Sequence, residues 1–125
     1  MILNALGIHL ILDLKECNPQ RLNDLPYIRA TMIEAAEAAG ATIIGESFHQ
    51  FNPVGVTGVL AIAESHLTIH TWPEFCYAAV DVFTCGESFS TRKVAQLLID
   101  RLQSQDPSIT ELRRGVLPAL ANATT

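Results

Sequence analysis

The chain opens on an alternation: Leu6, Ile8, Leu10, Leu12 and Leu14 are interleaved with Gly7, His9, Ile11 and Asp13, the period of a half-buried strand. Cys17-Asn18-Pro19 breaks it. Asn23 or Asp24 then caps a predicted helix with Pro26 in its first turn and Gly40 at its end. Ile28, Met32, Ala35, Ala36 and Ala39 form the apolar stripe of that helix, and its alanines suit close packing on a sheet. Thr42 to Phe51 reads as a second strand, Asn52-Pro53-Val54-Gly55 as a turn, and Val56 to Ala63 as a third strand that is apolar on both faces. His66 to Trp72 and Tyr77 to Cys85 follow as strands, with Pro73 and Glu74 at the turn between them. Ser88 or Ser90 caps a second helix built on Val94, Leu97, Leu98 and Leu102, and Ser108 to Arg114 reads as a last edge strand.

This order predicts an α+β fold, an antiparallel sheet with two helices on one face. A third strand wanted dry on both sides needs cover that no spare helix supplies. A second copy of the chain is the expected cover, making a homodimer whose sheets pack into a layered sandwich. Residues 1–115 form the expected single domain, and 116–125 a tail with little helix or strand signal.

Composition narrows the picture. At 125 residues, with nearly half of them apolar, one core is expected. A net charge of −5, two lysines (Lys15 and Lys93) and no basic cluster argue against nucleic acid as a partner. Cys17, Cys76 and Cys85 are odd in number and lack metal-ligand spacing, which fits a reducing cytoplasm better than a disulfide framework. The start, Met1 to Leu6, has no basic region or cleavage site, and no apolar run reaches membrane-spanning length, so no membrane association is expected.

The reactive residues crowd into Ala63 to Gly86. His66 and His70 have a helical metal-ligand spacing with Cys85 as a candidate third ligand. Thr68, Ile69, Thr71 and Trp72 favour a strand instead, in which four residues span about 13 Å and two rings do not meet at one ion. No metal is therefore expected. Ser65 lacks the Gly-x-Ser-x-Gly surround of a serine hydrolase. Glu64-Ser65 also allows backbone chemistry: the serine hydroxyl attacks the preceding carbonyl, the amide becomes an ester, and elimination leaves a new chain that starts with a pyruvoyl group. Such a ketone forms a Schiff base with a substrate amine and serves as an electron sink in place of pyridoxal phosphate on a lysine.

The run Glu64-Ser65-His66-Leu67-Thr68-Ile69-His70-Thr71-Trp72-Pro73-Glu74, followed by Tyr77-Ala78-Ala79-Val80-Asp81-Val82-Phe83-Thr84-Cys85-Gly86, resembles the short prokaryotic S-adenosylmethionine decarboxylase proenzymes. The likeness extends upstream through Gly40 to Ile44, Phe48 to Val59 and Gly7 to Leu10, covering roughly the first hundred residues. It implies self-cleavage into a β chain (1–64) and an α chain (65–125), with the pyruvoyl cofactor generated from Ser65 and neither pyridoxal phosphate nor metal required. It further implies that His70 removes the serine α-proton during processing and that Cys85 returns a proton to the substrate carbon after carbon dioxide leaves. Phe51, Leu67, Trp72 and Glu74 match the family's substrate-binding positions, Glu74 for the ribose and the aromatic rings for adenine beside a sulfonium ion. Thr57 stands where the family often has a serine whose hydroxyl assists processing, and slower cleavage is expected.

Strand geometry adds an independent expectation. Ser65 and His70 are five apart, so on one extended strand they face opposite sides about 16 Å from each other. Joining the segments across a two-fold axis would let His70 of one protomer reach position 65 of its partner. Two other readings remain open here: the same chemistry on arginine or a related basic amino acid, and an unprocessed, non-catalytic dimeric binding domain. His9, His49 and His66 are read as hydrogen-bonded strand histidines, Cys76 as a buried neighbour, and Asp81 as a charge awaiting a partner in an apolar run.

Overall fold

A computed structural model describes residues 5–85 and 89–121. The predicted Ser88 cap, Gly86, and the ends 1–4 and 122–125 lie outside them. Six antiparallel strands form one sheet: β1 (Gly7–Lys15), β2 (Ile43–Gln50), β3 (Val56–Ile62), β4 (Ser65–Trp72), β5 (Tyr77–Thr84) and β6 (Asp106–Arg114). Their order across the sheet is β2-β3-β4-β5-β1-β6. Two long helices, α2 (Leu25–Ala38) and α3 (Thr91–Leu102), pack on it. Two single-turn helices, α1 (Pro19–Leu22) and α4 (Pro118–Ala121), add to the predicted pair.

Local chemistry sets these boundaries. Asp24 accepts from the Tyr27 backbone N–H to start α2, and Ser90 accepts from that of Lys93 to start α3. Asn18, followed by Pro19, caps α1 by accepting from the backbone of Gln20 and Arg21. The stretch expected only to break β1 is thus also a helix start. The residues expected to carry a featureless tail include the turn α4, which again begins on a proline, Pro118.

The core lies between the sheet and the long helices. The predicted stripe of α2 is buried along its length, with Ile28, Met32, Ala35 and Ala36 fully inaccessible. With Val94, Ala95, Leu98 and Leu102 of α3 it shares one core cluster with Leu10, Leu12 and Leu14 of β1, Val56 and Leu60 of β3, Leu67 and Ile69 of β4, and Val80 and Val82 of β5. Each leucine or isoleucine so buried contributes about 1.5–3 kcal/mol from lost water contact alone. Leu6 falls outside the expected alternation: it precedes β1 and is 56% exposed. Thr71, 1% exposed, is one of the polar residues buried on this face. Its hydroxyl donates to the Leu22 carbonyl at 2.8 Å and accepts from the Val56 N–H at 2.9 Å, tying α1 to β3 and β4.

Among the described residues neither long helix packs on the opposite face. Register places His9, Ile11 and Asp13 of β1 beside Phe83, Asp81 and Ala79 of β5, then Thr68 and His70 of β4, then Val59 and Thr57 of β3. Val59 is 38% exposed there, so the strand expected to be dry on both sides is dry on one in the single chain. Among the described residues no helix is long and apolar enough to cross a membrane.

Candidate active site

The chemistry-bearing residues gather at two places on β4, one at each end. At the first, β3 ends at Ile62 and β4 begins at Ser65, so Ala63 and Glu64 form the tip of a tight hairpin and Ser65 is the first residue beyond it. The Glu64 carbonyl oxygen accepts two hydrogen bonds from a single residue, the Cys85 backbone N–H at 3.0 Å and the Cys85 thiol at 3.2 Å. Cys85 reaches it because β5 runs antiparallel to β4 and ends opposite its start, with Ser65 paired to Thr84. Ser65 has φ 155°, a conformation that non-glycine residues seldom adopt and that costs about 1–3 kcal/mol. Its hydroxyl lies 3.2 Å from His66 Nδ1.

At the other end of β4, Thr57 Oγ1 and His70 Nδ1 are hydrogen-bonded across the β3–β4 register. Aromatic rings surround this imidazole: Trp72 at 4.2 Å and Phe51 at 5.6 Å between centroids, with Tyr77 stacked on Trp72 at 5.3 Å. Phe51 is held by the turn that follows β2. Its N–H donates to the Gly55 carbonyl at 2.8 Å, while the Gly55 N–H donates to Asn23 Oδ1 at 2.9 Å. Gly55 has φ 113°, which favours glycine. Gly58 does a second job in the same strand: the Phe48 ring lies where its Cβ would be. The Tyr77 phenol donates to Asp13 at 2.5 Å, and this hydrogen bond, with some burial, raises its pKa to about 12.

Between the ends sits a polar pair. Asp81 accepts from Thr68 at 3.3 Å and is 2.9 Å from His9 Nε2, which supplies the partners the sequence left unnamed. Arg114 lies over the Phe83 ring at 5.2 Å, and the His9 ring meets Phe83 edge-on. His49 packs edge-on against Phe51 rather than entering a metal set. No group of three or more potential metal ligands exists among the described residues.

Two sequence-predicted residues sit differently from the others. Leu67 is fully buried on the helix side of β4, so its side chain cannot reach the open face, and any substrate contact at that position is a backbone contact. Its parity with Ile69 and Thr71 carried that signal. Glu74 is exposed in the single 3-10 turn Pro73–Phe75, with no partner among the described residues. Cys76 ends that turn with φ 53°, and its carbonyl accepts from the Cys17 N–H at 2.9 Å. Its structural part is thus played by the backbone. Cys17 itself is buried, and burial raises its thiol pKa to about 11.

Fold and site together define a small α+β protein whose candidate chemistry lies on an uncovered sheet face and at a hairpin tip beside it. A profile of the S-adenosylmethionine decarboxylase family matches residues 8–115. The S-adenosylmethionine decarboxylase proenzyme of Thermodesulfovibrio yellowstonii is 53% identical over 113 residues, spanning 90% of this chain and 84% of that protein. The proenzyme of Prochlorococcus marinus is 48% identical over 118 residues, 94% of this chain and 97% of that one. The crystal structure of the adenosylmethionine decarboxylase from Aquifex aeolicus matches with a TM-score of 0.85 at 34% identity, covering 90% of this chain and 93% of that chain. This chain belongs to the S-adenosylmethionine decarboxylase family. The readings as an arginine decarboxylase or an unprocessed binding module are not favoured by these matches.

Proposed function

We propose that this protein is a self-processing decarboxylase that releases carbon dioxide from S-adenosylmethionine and supplies the aminopropyl donor for spermidine and related polyamines. The observation that carries the processing is the Glu64 carbonyl, already polarised by two donors from Cys85, with the Ser65 hydroxyl on the adjacent residue. Negative charge develops on that oxygen when the hydroxyl attacks, and preorganised donors lower the barrier most where charge develops. A strained φ at Ser65 favours the same outcome, since breaking the peptide bond releases it.

The residues at the hairpin tip suit a pyruvoyl group at position 65, which would supply the ketone that captures the substrate amine and accepts the electrons of decarboxylation. Cys85, within reach of that position, is the proton donor to the substrate carbon. In the tautomer whose Nδ1–H donates to Thr57 Oγ1, His70 keeps an Nε2 lone pair for the serine α-proton. Phe51 and Trp72 offer π faces to the adenine and the sulfonium, and Glu74 has free carboxylate oxygens for the ribose hydroxyls.

His70 and its aromatic rings lie at the far end of β4 from Ser65, about 16 Å along the strand. A homodimer resolves this. Two open faces packed about 10 Å apart, related by a two-fold axis near Thr68 and Asp81, would set the Ser65 end of one protomer over the His70 end of its partner. Residues 1–115 act as one domain in this reading, and a cytoplasmic location suits the three free cysteines.

Intact mass and turnover test the proposal together. Purified protein should appear as chains 1–64 and 65–125, the second blocked to N-terminal sequencing, and should release carbon dioxide from S-adenosylmethionine. Ser65→Ala should do neither. Parental turnover by that variant would end the proposal. Mixing Ser65→Ala with His70→Ala protein should restore up to about a quarter of parental activity, through one intact site per mixed dimer. No recovery in verified mixed dimers would rule out the shared site.

A further inference from the structure

Attack by Ser65 requires something to take its hydroxyl proton, and none of the roles above provides it. His70 lies at the other end of β4 in the same chain, and the His70 brought over by the proposed dimer already has the later task of taking the serine α-proton. Cys85 is engaged as a donor to the carbonyl under attack, so it is not available to accept. The ring that does touch the nucleophile is His66, with Nδ1 at 3.2 Å from Ser65 Oγ.

Regular strand geometry would not produce this contact, because neighbouring side chains point to opposite faces. Residue 65 shares the parity of the buried Leu67 and Ile69, while His66 shares that of Thr68 and His70 on the open face. The φ of 155° at Ser65 breaks the alternation and brings the hydroxyl round to the imidazole. The ring is held by Phe83, 5.7 Å between centroids, across the β4–β5 register. Among the described residues the Ser65 hydroxyl is the only hydrogen-bond partner of the His66 ring. No carbonyl or carboxylate among the described residues requires a proton on Nδ1, and in the Nε2–H tautomer that nitrogen accepts one.

We propose that His66 is the base that starts self-cleavage, a catalytic role resting on the reading that the chain cuts itself ahead of residue 65. The Ser65 O–H bond breaks and its proton passes to His66 Nδ1 as Oγ bonds to the Glu64 carbonyl carbon. The tetrahedral intermediate carries its negative charge on the Glu64 oxygen, held by the two Cys85 donors. Collapse breaks the carbon–nitrogen bond, and the imidazolium returns the proton to the departing Ser65 nitrogen. The result is an ester between Glu64 and Ser65 Oγ with a free amine at residue 65. His70 acts only afterwards, in the elimination that breaks this ester.

The two histidines therefore stall the chain at chemically different stages. Hydroxylamine cleaves an ester and spares an amide, so it reads the stage directly. His66→Ala should separate into two chains about 100-fold more slowly than the parent or worse, and its full-length band should resist hydroxylamine. Imidazole added to the buffer should restore part of the rate. His70→Ala should accumulate full-length protein that hydroxylamine cuts between Glu64 and Ser65. His66→Gln, which keeps a side chain of similar reach, should be as slow as the alanine variant, and unchanged thermal melting of either would show an intact fold. Cleavage of His66→Ala within about threefold of the parental rate overturns the proposal. So does a stalled His66→Ala that hydroxylamine cuts, or a slow and folded one that imidazole leaves unchanged. A parent chain that never separates would instead overturn the reading on which the proposal rests.

Discussion

Replacing Cys85 by alanine tests the polarised carbonyl most directly, because it removes one of two donors and leaves the other in place. The backbone N–H at 3.0 Å belongs to the main chain and survives the substitution, whereas the thiol contact at 3.2 Å is lost. Deleting one amide donor from an oxyanion site costs about 2.7–4 kcal/mol. A thiol is a weaker donor, and half of that value, about 1.4–2 kcal/mol, corresponds to cleavage slowed roughly 10- to 30-fold. Cys85→Ser keeps a side-chain donor, a hydroxyl on a shorter bond to Cβ, and should slow cleavage less than the alanine variant does. The assay is the fraction of full-length chain against time, followed on denaturing gels after rapid purification. Turnover of whatever enzyme does form should drop much further in both variants, since neither carries the thiol proton donor. Parental cleavage kinetics in Cys85→Ala would refute the argument, as would equal slowing by serine and alanine.

Other expectations follow from contacts elsewhere. Thr57→Val removes the partner that orients His70. At about 1–3 kcal/mol for a lost hydrogen bond that is partly buried, chain separation should slow about 5- to 150-fold, while Thr57→Ser, which keeps the hydroxyl, should cleave at least as fast as the parent. Thr71→Val leaves the Val56 N–H and the Leu22 carbonyl without the hydroxyl they share. It should cost about 2–4 kcal/mol in denaturant unfolding, with melting lowered by roughly 4 °C per kcal/mol. The Cys17 thiol ionises at about 11 when folded, against 9.0 ordinarily. A raised pKa gives stability that is complete below pH 9 and lost as pH climbs towards 11, by at most about 3 kcal/mol. Cys17→Ala should flatten that decline, and urea midpoints measured from pH 8 to 11 would show whether it does. The Tyr77 phenol, raised to about 12 by Asp13, adds a later alkaline loss that the Cys17 variant retains.

The strands and long helices were legible because their signals are local. Period-two alternation marked β1, and the caps Asp24 and Ser90 marked α2 and α3. The short helices were missed because one turn carries too few periodic positions to register, although Asn18-Pro19 was a start signal in plain view. At the site, the strand spacing of Ser65 and His70 was readable from parity, and so was the burial of Leu67. The contact between Cys85 and the Glu64 carbonyl was not, because it joins residues 21 apart through the pairing of β4 with β5. Nor was the approach of His66 to Ser65, which depends on one backbone angle that violates the alternation used to read the strand.

The order of strands also decides what becomes of the molecule once it is nicked at the β3–β4 hairpin. The leading piece, 1–64, owns β1, β2 and β3, and the trailing piece owns β4, β5 and β6. In the order β2-β3-β4-β5-β1-β6 the two owners alternate, with β1 of the leading piece clasped between β5 and β6 of the trailing one. Three ladders, β3–β4, β5–β1 and β1–β6, thus hold the fragments together without a covalent link, and neither can leave unless all three come apart. Once melted, the nicked form must regain its shape by an encounter of two fragments rather than by the collapse of one. Its recovery should therefore depend on concentration, as that of an uncut Ser65→Ala protomer should not.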